Sequence, residues 1–346
     1  MEFEPTIGAY VVSRYDHLRS VLGAPETFSS RHMAGPQLAA LAASLPLEQQ
    51  RLLALMSSLN SADGFDHTRI RRVANQKFTP MVVRRMAEGI RAKVRKALAE
   101  LDHEIDFVSG FAAPLALSVI ADVLEVPDAD RELFRSFVQP VLDLTNGEEV
   151  TPEVLGAYFA GMTEFAAYFG RTQLFTELPE RDRLALCLAL VVAGTDSTTN
   201  LLSSLVLRLG EGAAPVEGFV EEVIRLESPF RGFFRTATTD TAVGGVRVAE
   251  GEHLFLDFAA GNRDTSVFDE VLDPQRPPVP PHLGFGYGTH YCLGAQLART
   301  EARVVVEEVL GHGVELVDAA AAVRYRRHLI SHGPAELMVR PAKRPG

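Results

Sequence analysis

One stretch of the sequence decides its fold: Phe285-Gly-Tyr-Gly-Thr-His-Tyr-Cys292-Leu-Gly-Ala-Gln-Leu-Ala-Arg299. Gly286 and Gly288 permit tight backbone geometry without side-chain bulk, so a flat ligand can approach this loop closely. The residues after Cys292 predict a helix, whose unpaired amides and dipole favour a thiolate over a thiol. A cysteine presented in this way is suited to bind a metal or to act as a nucleophile.

Two other kinds of site fit this stretch less well. A dinucleotide-binding loop is disfavoured because the third glycine of the GxGxxG pattern is missing and no strand–helix–strand unit surrounds it. A zinc site that used His290 and Cys292 would need two more ligands at suitable spacing, and the sequence shows none.

The same stretch resembles the haem-binding signature of the cytochrome P450 family, Phe-Gly-x-Gly-x-His-x-Cys-x-Gly. Three further family motifs occur in the expected order: His67-Thr-Arg-Ile-Arg71, Ala193-Gly-Thr-Asp196-Ser and Glu222-Val-Ile-Arg225. Weaker similarities extend the resemblance over nearly the whole chain. It implies the cytochrome P450 fold, mainly α with a small β portion, as a single domain over residues 1–346.

The resemblance also implies a cofactor, haem b (iron protoporphyrin IX), with Cys292 as the iron ligand. Cations would meet the haem propionates, because charge-assisted hydrogen bonds to a carboxylate require cationic donors. The positions that match the family's cofactor-binding residues are His67, Arg71, Arg235, Phe285, Gly286, His290, Cys292 and Gly294. A thiolate ligand donates electron density that favours cleavage of the O–O bond.

Proton chemistry is implied for the helix centred on Asp196. This acid would relay protons, and an adjacent hydroxyl, Ser197 or Thr198, would assist oxygen cleavage. The family usually has threonine directly after the acid, and serine lacks the β-branch that fixes the threonine rotamer. We therefore expect turnover with looser coupling. The alternative is that these residues form a polar cluster satisfied inside a large core.

Glu222 and Arg225 are three residues apart and share one face of a helix, where an exposed pair contributes about 0.2–0.5 kcal/mol. In the family this pair, together with an arginine that precedes the cysteine loop, locks the core on the haem side. Arg276 is our candidate for the third member, with a structural role.

Composition limits the class of protein. The chain has 346 residues, with 34 Lys+Arg against 45 Asp+Glu and a net charge of −11, which disfavours general binding to nucleic acid. Cys187 and Cys292 cannot form a disulfide framework, and the N-terminus lacks a signal-peptide pattern, so we expect a cytoplasmic protein. The stretch 184–207 could cross a bilayer by length. Its polar centre, residues 194–200, favours instead a buried helix, and no membrane partner is expected.

Periodicity predicts the organisation of the chain. The predicted helices are at about 16–22, 66–101 with a break at Thr79-Pro80, 113–125, 129–144, 151–170, 181–209, 215–227 and 293–311. The predicted strands are Tyr10–Ser13, Thr236–Val248, Glu252–Phe258 and a β-like tail, with mixed helix and loop over 36–63. The chain is several dozen residues shorter than ordinary family members. We expect the usual first helix and strand to be absent, either in a compact natural protein or in a chain that has lost pieces.

By this resemblance the chain is expected to be a monooxygenase that oxidises a small organic substrate in specialised metabolism. The alternatives are a peroxide-driven or coupling enzyme without oxygen insertion, or a non-catalytic scaffold. Separate ferredoxin and ferredoxin reductase proteins would supply electrons. Residues 67–96 carry ten Lys/Arg against one acid, so Arg72, Lys77, Arg84 and Arg85 would suit an acidic redox partner.

Substrate choice is weakly encoded. The segments expected to line the pocket are Met33–Phe65, Val192–Thr195, Phe230–Phe234 and Ile330–His332. Arg231 lies between aromatic residues and is either a surface arginine or a group that binds a substrate carboxylate, since a guanidinium binds carboxylate bidentately.

Overall fold

The computed structural model describes residues 1–36, 43–145, 151–317, 323–326 and 328–342. In these ranges the longer α-helices are α1 (Tyr15–Leu22), α2 (Leu47–Leu53), α3 (Gly64–Ala74), α4 (Pro80–Ala99), α5 (Ala113–Val123), α6 (Arg131–Thr145), α7 (Pro152–Gly170), α8 (Glu180–Arg208), α9 (Val216–Glu227), α10 (Phe258–Gly261) and α11 (Ala295–His312). Short 3₁₀ turns include Ala54–Met56, Asn75–Lys77 and Gly288–His290. A π-helical turn, Val108–Ala112, leads into α5.

The strands are β1 (Glu2–Glu4), β2 (Ala9–Val12), β3 (Phe28–Ser29), β4 (Ile105–Asp106), β5 (Gly232–Ala237), β6 (Thr241–Val243), β7 (Val246–Val248), β8 (His253–Asp257), β9 (Val314–Leu316) and β10 (Met338–Pro341). They form a sheet in the order β1-β2-β8-β5-β3, a sheet in the order β4-β10-β9, and the β6-β7 hairpin. Only β2 and β8 pair in parallel within the first sheet, with Val11 opposite Phe255. The mainly α fold with a small β portion is therefore confirmed.

The break between α3 and α4 shows how local sequence fixes an element boundary. Proline disfavours helical geometry in the residue before it, and Thr79 is extended, with φ −63° and ψ 150°. Its hydroxyl accepts a hydrogen bond from the Val82 amide at 3.3 Å, and Pro80 occupies the first helical position, where no amide donor is required. The predicted interruption is thus a capped helix start.

Helix α8 runs through the middle of the core. Leu186, Cys187 and Leu188 are almost fully buried, and one cluster packs them against α5, α6 and α7, while Leu202 and Leu205 belong to a second cluster with α4, α9 and α11. The helix is long and apolar enough to span a membrane, but 67% of its apolar window is buried inside the protein. Such burial is typical of a core helix. The polar centre of α8 therefore lies inside the molecule.

Three very short strands were not anticipated from the sequence. β1, β3 and β4 contain two or three residues each, too few to show a period-2 pattern. Part of the segment predicted as mixed helix and loop, residues 37–42, lies outside the described residues.

Candidate active site

The loop before α11 presents Cys292 to the interior. Gly286 and Gly288 both have φ +71°, a conformation that favours glycine. A Cβ on Gly288 would lie 2.6 Å from the carbonyl oxygen of Leu22, so this glycine also permits the loop to pack against α1. The Cys292 amide donates to the carbonyl of Phe285 at 2.8 Å, which closes the loop.

The thiol of Cys292 faces the start of α11. Its surface opens to a cavity of about 590 Å³ rather than to bulk solvent, because the surrounding residues otherwise enclose it. Burial raises the pKa of the Cys292 thiol, whereas the amides of Gly294 and Ala295 and the guanidinium groups of Arg71 and Arg299 act in the opposite direction. The amides at the helix start lower the pKa of Cys292, as predicted from the sequence, but burial raises it by more.

Cationic and imidazole groups gather at one side of this cavity. Arg71 donates from Nη1 to the carbonyl of Thr289 at 3.3 Å and from Nη2 to that of Tyr291 at 2.7 Å. Arg235 is only 6% exposed, and its hydrogen bond in the structure goes to the carbonyl of Phe234 at 2.8 Å. Burial lowers the pKa of Arg235 to about 10.

His67 and His290 lie between these arginines, with ring centroids 4.3 Å apart. His67 is 2% exposed, and its Nε2 is buried without a hydrogen-bond partner among the described residues. Burial, with Arg235 and His67 as neighbours, lowers the pKa of His290 to about 3. Asp63 acts in the opposite direction, but it is a single acid facing several cations, so this side of the cavity calls for an anion.

Helix α8 forms another part of the cavity wall. Gly194 has no room for a side chain, because a Cβ there would overlap the Cδ1 of Ile120. Ser197 and Thr198 both line the cavity. The Ser197 hydroxyl donates to the carbonyl of Ala193, four residues earlier, at 2.6 Å, which is the back-bonding expected to loosen a helix turn.

Asp196 lines the cavity and is 5% exposed. Its Oδ2 accepts a hydrogen bond from Ser331 at 2.6 Å, and Arg326 Nη1 lies 3.4 Å from Oδ1. Burial raises the pKa of the Asp196 carboxyl, and these two partners act against that rise. The sequence placed Ser331 in a predicted pocket segment but gave no signal that Ser331 or Arg326 contacts Asp196, because both lie more than a hundred positions away along the chain.

The predicted contacts of Glu222 are observed. Arg225 donates from Nε and Nη2 to the two carboxylate oxygens at 2.8 Å, and Arg276 Nε donates at 3.0 Å. Burial alone would raise the pKa of Glu222, but the hydrogen bonds from these arginines and from the Asp273 amide lower it overall. Arg225 also bonds the carbonyls of Asn262 and Val271, so the group anchors the segment that precedes the cysteine loop.

Comparisons with known proteins point to the same family that the stretch around Cys292 resembles. A family model described as Cytochrome P450 matches residues 216–312. The biotin biosynthesis cytochrome P450 of Bacillus subtilis (strain 168) is 31% identical over 294 residues, which cover 75% of this chain and 74% of that protein. The chain belongs to the cytochrome P450 family.

Other P450 proteins match over most of their length. The methyl-branched lipid omega-hydroxylase of Mycobacterium tuberculosis (strain ATCC 25618 / H37Rv) is 29% identical, over 96% of this chain and 84% of that protein. The structure of P450BioI in complex with a hexadec-9Z-enoic acid-ligated acyl carrier protein superposes with a TM-score of 0.81 and 28% identity, covering 95% and 91% of the two chains. The protein is thus a cytochrome P450 monooxygenase and has a haem cofactor.

The cavity residues fit a haem. A cysteine sulfur opens onto the cavity beside two glycines that keep the loop thin. The buried Nε2 of His67 has no partner among the described residues, and the Arg235 guanidinium lines the cavity, so propionates would satisfy the first and pair with the second. All eight sequence-predicted cofactor residues except His67 line the cavity, and the His67 ring packs against His290, which does. Across the described ranges of the chain, three or more His, Cys, Asp or Glu residues do not gather as a separate metal site.

The rest of the cavity wall is mostly apolar. Each of the four segments predicted to form the pocket contributes to it, with Met33, Ala34, Leu53, Met56, Leu59 and Asn60 from the first, Val192, Ala193 and Gly194 from the second, Phe230 and Phe233 from the third, and Ile330 and Ser331 from the fourth.

The structure distinguishes between sequence alternatives at two basic residues. Arg231 is exposed and lies outside the cavity lining, whereas Phe230, just before β5, and Phe233 on β5 both line the cavity. It is therefore the surface arginine of the two alternatives. Lys77 forms an ion pair with Glu125, so its charge is already compensated within the protein.

Proposed function

We propose that this P450 inserts oxygen into a small, mainly apolar organic substrate and uses haem b bound through Cys292. The observation that carries the proposal is the arrangement of one cavity: Cys292 at the start of α11, the acid and hydroxyls of α8, and a group of cations at the side. When bound, the haem would supply oxygen activation, as the cofactor does in this chemistry.

The chain's own residues would divide the work as follows. His67, Arg71, Arg235 and His290 bind and orient the propionates through charge-assisted hydrogen bonds. Asp196 holds and moves a proton at its carboxylate. Thr198 donates a hydrogen bond into the cavity, or Ser197 does so once its hydroxyl turns away from the Ala193 carbonyl. The aliphatic and aromatic wall excludes water and orients the substrate.

The nature of this wall supports an apolar substrate. Leu59, Leu186, Leu190, Phe230 and Ile330 line the cavity. Away from α8 and the cations, the polar side chains in the lining are Asn60, Tyr287, Tyr291, Glu301, His328 and Ser331. Burial of apolar surface contributes about 25 cal/mol per Å², so hydrocarbon groups would gain most on binding here. A role in specialised metabolism and a cytoplasmic location are part of this proposal.

We infer that electrons come from a separate ferredoxin and its reductase. Arg72, Arg84 and Arg85 are exposed on α3 and α4, and no ion pair with an acid is found for them among the described residues. An acidic partner would be steered to this basic face of an otherwise acidic protein. Charge reversal at Arg84 should slow electron transfer from ferredoxin more at low salt than at high salt, because salt screens such contacts.

The spectrum of the reduced carbon monoxide complex tests the haem-thiolate assignment. Wild-type protein should give the red-shifted band typical of thiolate ligation, and Cys292→Ser should lose that band. An unchanged spectrum in pigment-loaded Cys292→Ser would contradict the assignment. Ser203→Ala, a buried hydroxyl outside the cavity, is the matched control.

Labelled oxygen separates insertion from the peroxide-driven or coupling alternative. Product formed with ferredoxin, reductase and ¹⁸O₂ from an apolar ligand that binds the protein should carry one labelled atom. Product without label, or product that forms only with hydrogen peroxide, would favour the alternative. This alternative is tested because Ser197 stands where the family usually has threonine.

A further inference from the structure

The segment 328–332 lies beside residues 229–231, which follow the end of α9. The Arg231 amide donates to the carbonyl of Ile330 at 2.7 Å, and the His332 amide donates to that of Pro229 at 2.9 Å. The Ser331 amide donates to Nδ1 of His328 at 2.9 Å. These backbone bonds hold Ser331 at the cavity wall.

The Ser331 hydroxyl both donates and accepts a hydrogen bond. Its hydroxyl donates to Oδ2 of Asp196 at 2.6 Å and accepts from Nδ2 of Asn200 at 2.8 Å. A hydroxyl has a single proton to donate, so this proton is committed to Asp196. Ser331 is 2% exposed and Asn200 is fully buried, and the three side chains therefore form a water-excluded chain of hydrogen bonds.

The second carboxylate oxygen of Asp196 faces Arg326. Its Nη1 lies 3.4 Å from Oδ1, and the Arg326 side chain is 20% exposed, so it bridges the buried acid and the surface. His328 is a further titratable neighbour from the same segment, and Asn200 faces the carboxylate from α8. Arg326, His328 and Ser331 all favour the anion, in opposition to burial.

We propose that Ser331 and Arg326 are positioning residues that hold the Asp196 carboxylate as an anion and connect it to solvent through the C-terminal segment. The proposal rests on the proposed function, since it assigns the route by which that reaction obtains protons. A proton from solvent passes Arg326 and binds Oδ1. The neutral acid then donates this proton to a hydroxyl or water in the cavity, which at the same time gives up its own proton to the reacting oxygen. One proton is thus transferred and the carboxylate is regenerated, without electron transfer.

The test measures the Asp196 carboxyl itself. Infrared spectra of the ferric protein are recorded over a pH series, and the band that disappears in Asp196→Asn is assigned to this group. Arg326→Gln and Ser331→Ala should each raise its midpoint pH by about one unit or more, because each removes an interaction that favours the anion. Ser331→Thr, which keeps the hydroxyl, should return the midpoint towards wild type, and Ser203→Ala should leave it unchanged.

A kinetic measurement completes the test. Oxygen consumption with a surrogate ferredoxin and reductase should show a larger solvent isotope effect in Arg326→Gln and Ser331→Ala than in wild type or Ser203→Ala. Midpoints and isotope effects equal to wild type in both variants would overturn the proposal. The carbon monoxide spectrum is recorded in parallel: a missing thiolate band in wild type would refute the proposed function, whereas the infrared midpoint would still report on the two positioning residues.

Discussion

Replacement of Glu222 by glutamine should destabilise the fold strongly. Four donors converge on the two carboxylate oxygens: Nε and Nη2 of Arg225, Nε of Arg276 and the amide of Asp273. A glutamine side chain offers one oxygen, and its NH₂ group would face donors at the other position. It would also leave the charge of Arg225, which is 1% exposed, without its counterion.

The expected loss is about 3–5 kcal/mol of unfolding free energy, the usual result of removing one member of a buried ion pair. Since a typical domain is stable by about 5–15 kcal/mol, this loss is a large part of the total. Denaturant unfolding of the haem-loaded protein, followed by circular dichroism and extrapolated to water, measures it.

The matched control is the exposed pair of Arg247 and Asp240, whose side chains are 79% and 60% accessible at a separation of 3.0 Å. Asp240→Asn should cost less than about 1 kcal/mol. Arg276→Gln should lie between the two, because Glu222 then keeps both bonds from Arg225. Equal losses in Glu222→Gln and Asp240→Asn would refute the reasoning, since burial would then make no difference.

Three further predictions test other parts of the structure. Gly194→Ala should destabilise the protein by about 1–3 kcal/mol in denaturant unfolding, because its Cβ would overlap Ile120 Cδ1. Adding Ile120→Val should relieve part of this overlap, so the double variant should lose less than the sum of the two single losses. A purely additive loss would contradict this steric explanation. The pKa of Glu221 is lowered to about 2 because the hydrogen bonds from Arg299 and His282 outweigh burial, which alone would raise it. A lowered pKa means stability that is lost as pH falls from about 5 towards 2, so Glu221→Gln should flatten the dependence of unfolding free energy on pH in that window. Ser197→Thr should release less hydrogen peroxide per electron pair than wild type, and equal release would remove the argument from rotamer freedom.

The fold and much of the site could be predicted because their signals are local. The stretch around Cys292 combines two glycines at positive φ with the start of a helix, and such patterns are visible within fifteen residues. Glu222 and Arg225 likewise share one helix face, and the break at Pro80 follows from steric rules.

Other parts could not be predicted because they depend on contacts distant in sequence. The partners of Asp196 come from a segment about 130 residues further along the chain. The predicted pocket segment Ile330–His332 includes Ser331, but no sequence pattern linked Ser331 or Arg326 to Asp196. The exposure of Arg231 depends on how the backbone just before β5 is held by residues distant in sequence, Ile330 and Ala259, and the aromatic residues around Arg231 in the sequence do not reveal this. The same limit explains why Lys77 could not be matched with Glu125.

The mainly apolar character of the cavity wall away from α8 and the cations has a consequence for the products. Apolar attraction has no preferred direction, so a hydrocarbon in this cavity is aligned by shape alone, and poses that differ by a small rotation would have similar energies. Such an enzyme is expected to yield mixtures of regioisomers from flexible substrates and a single product from rigid substrates. Changing the size of a single wall residue such as Leu59 or Leu186 would then redirect oxidation to a neighbouring carbon atom.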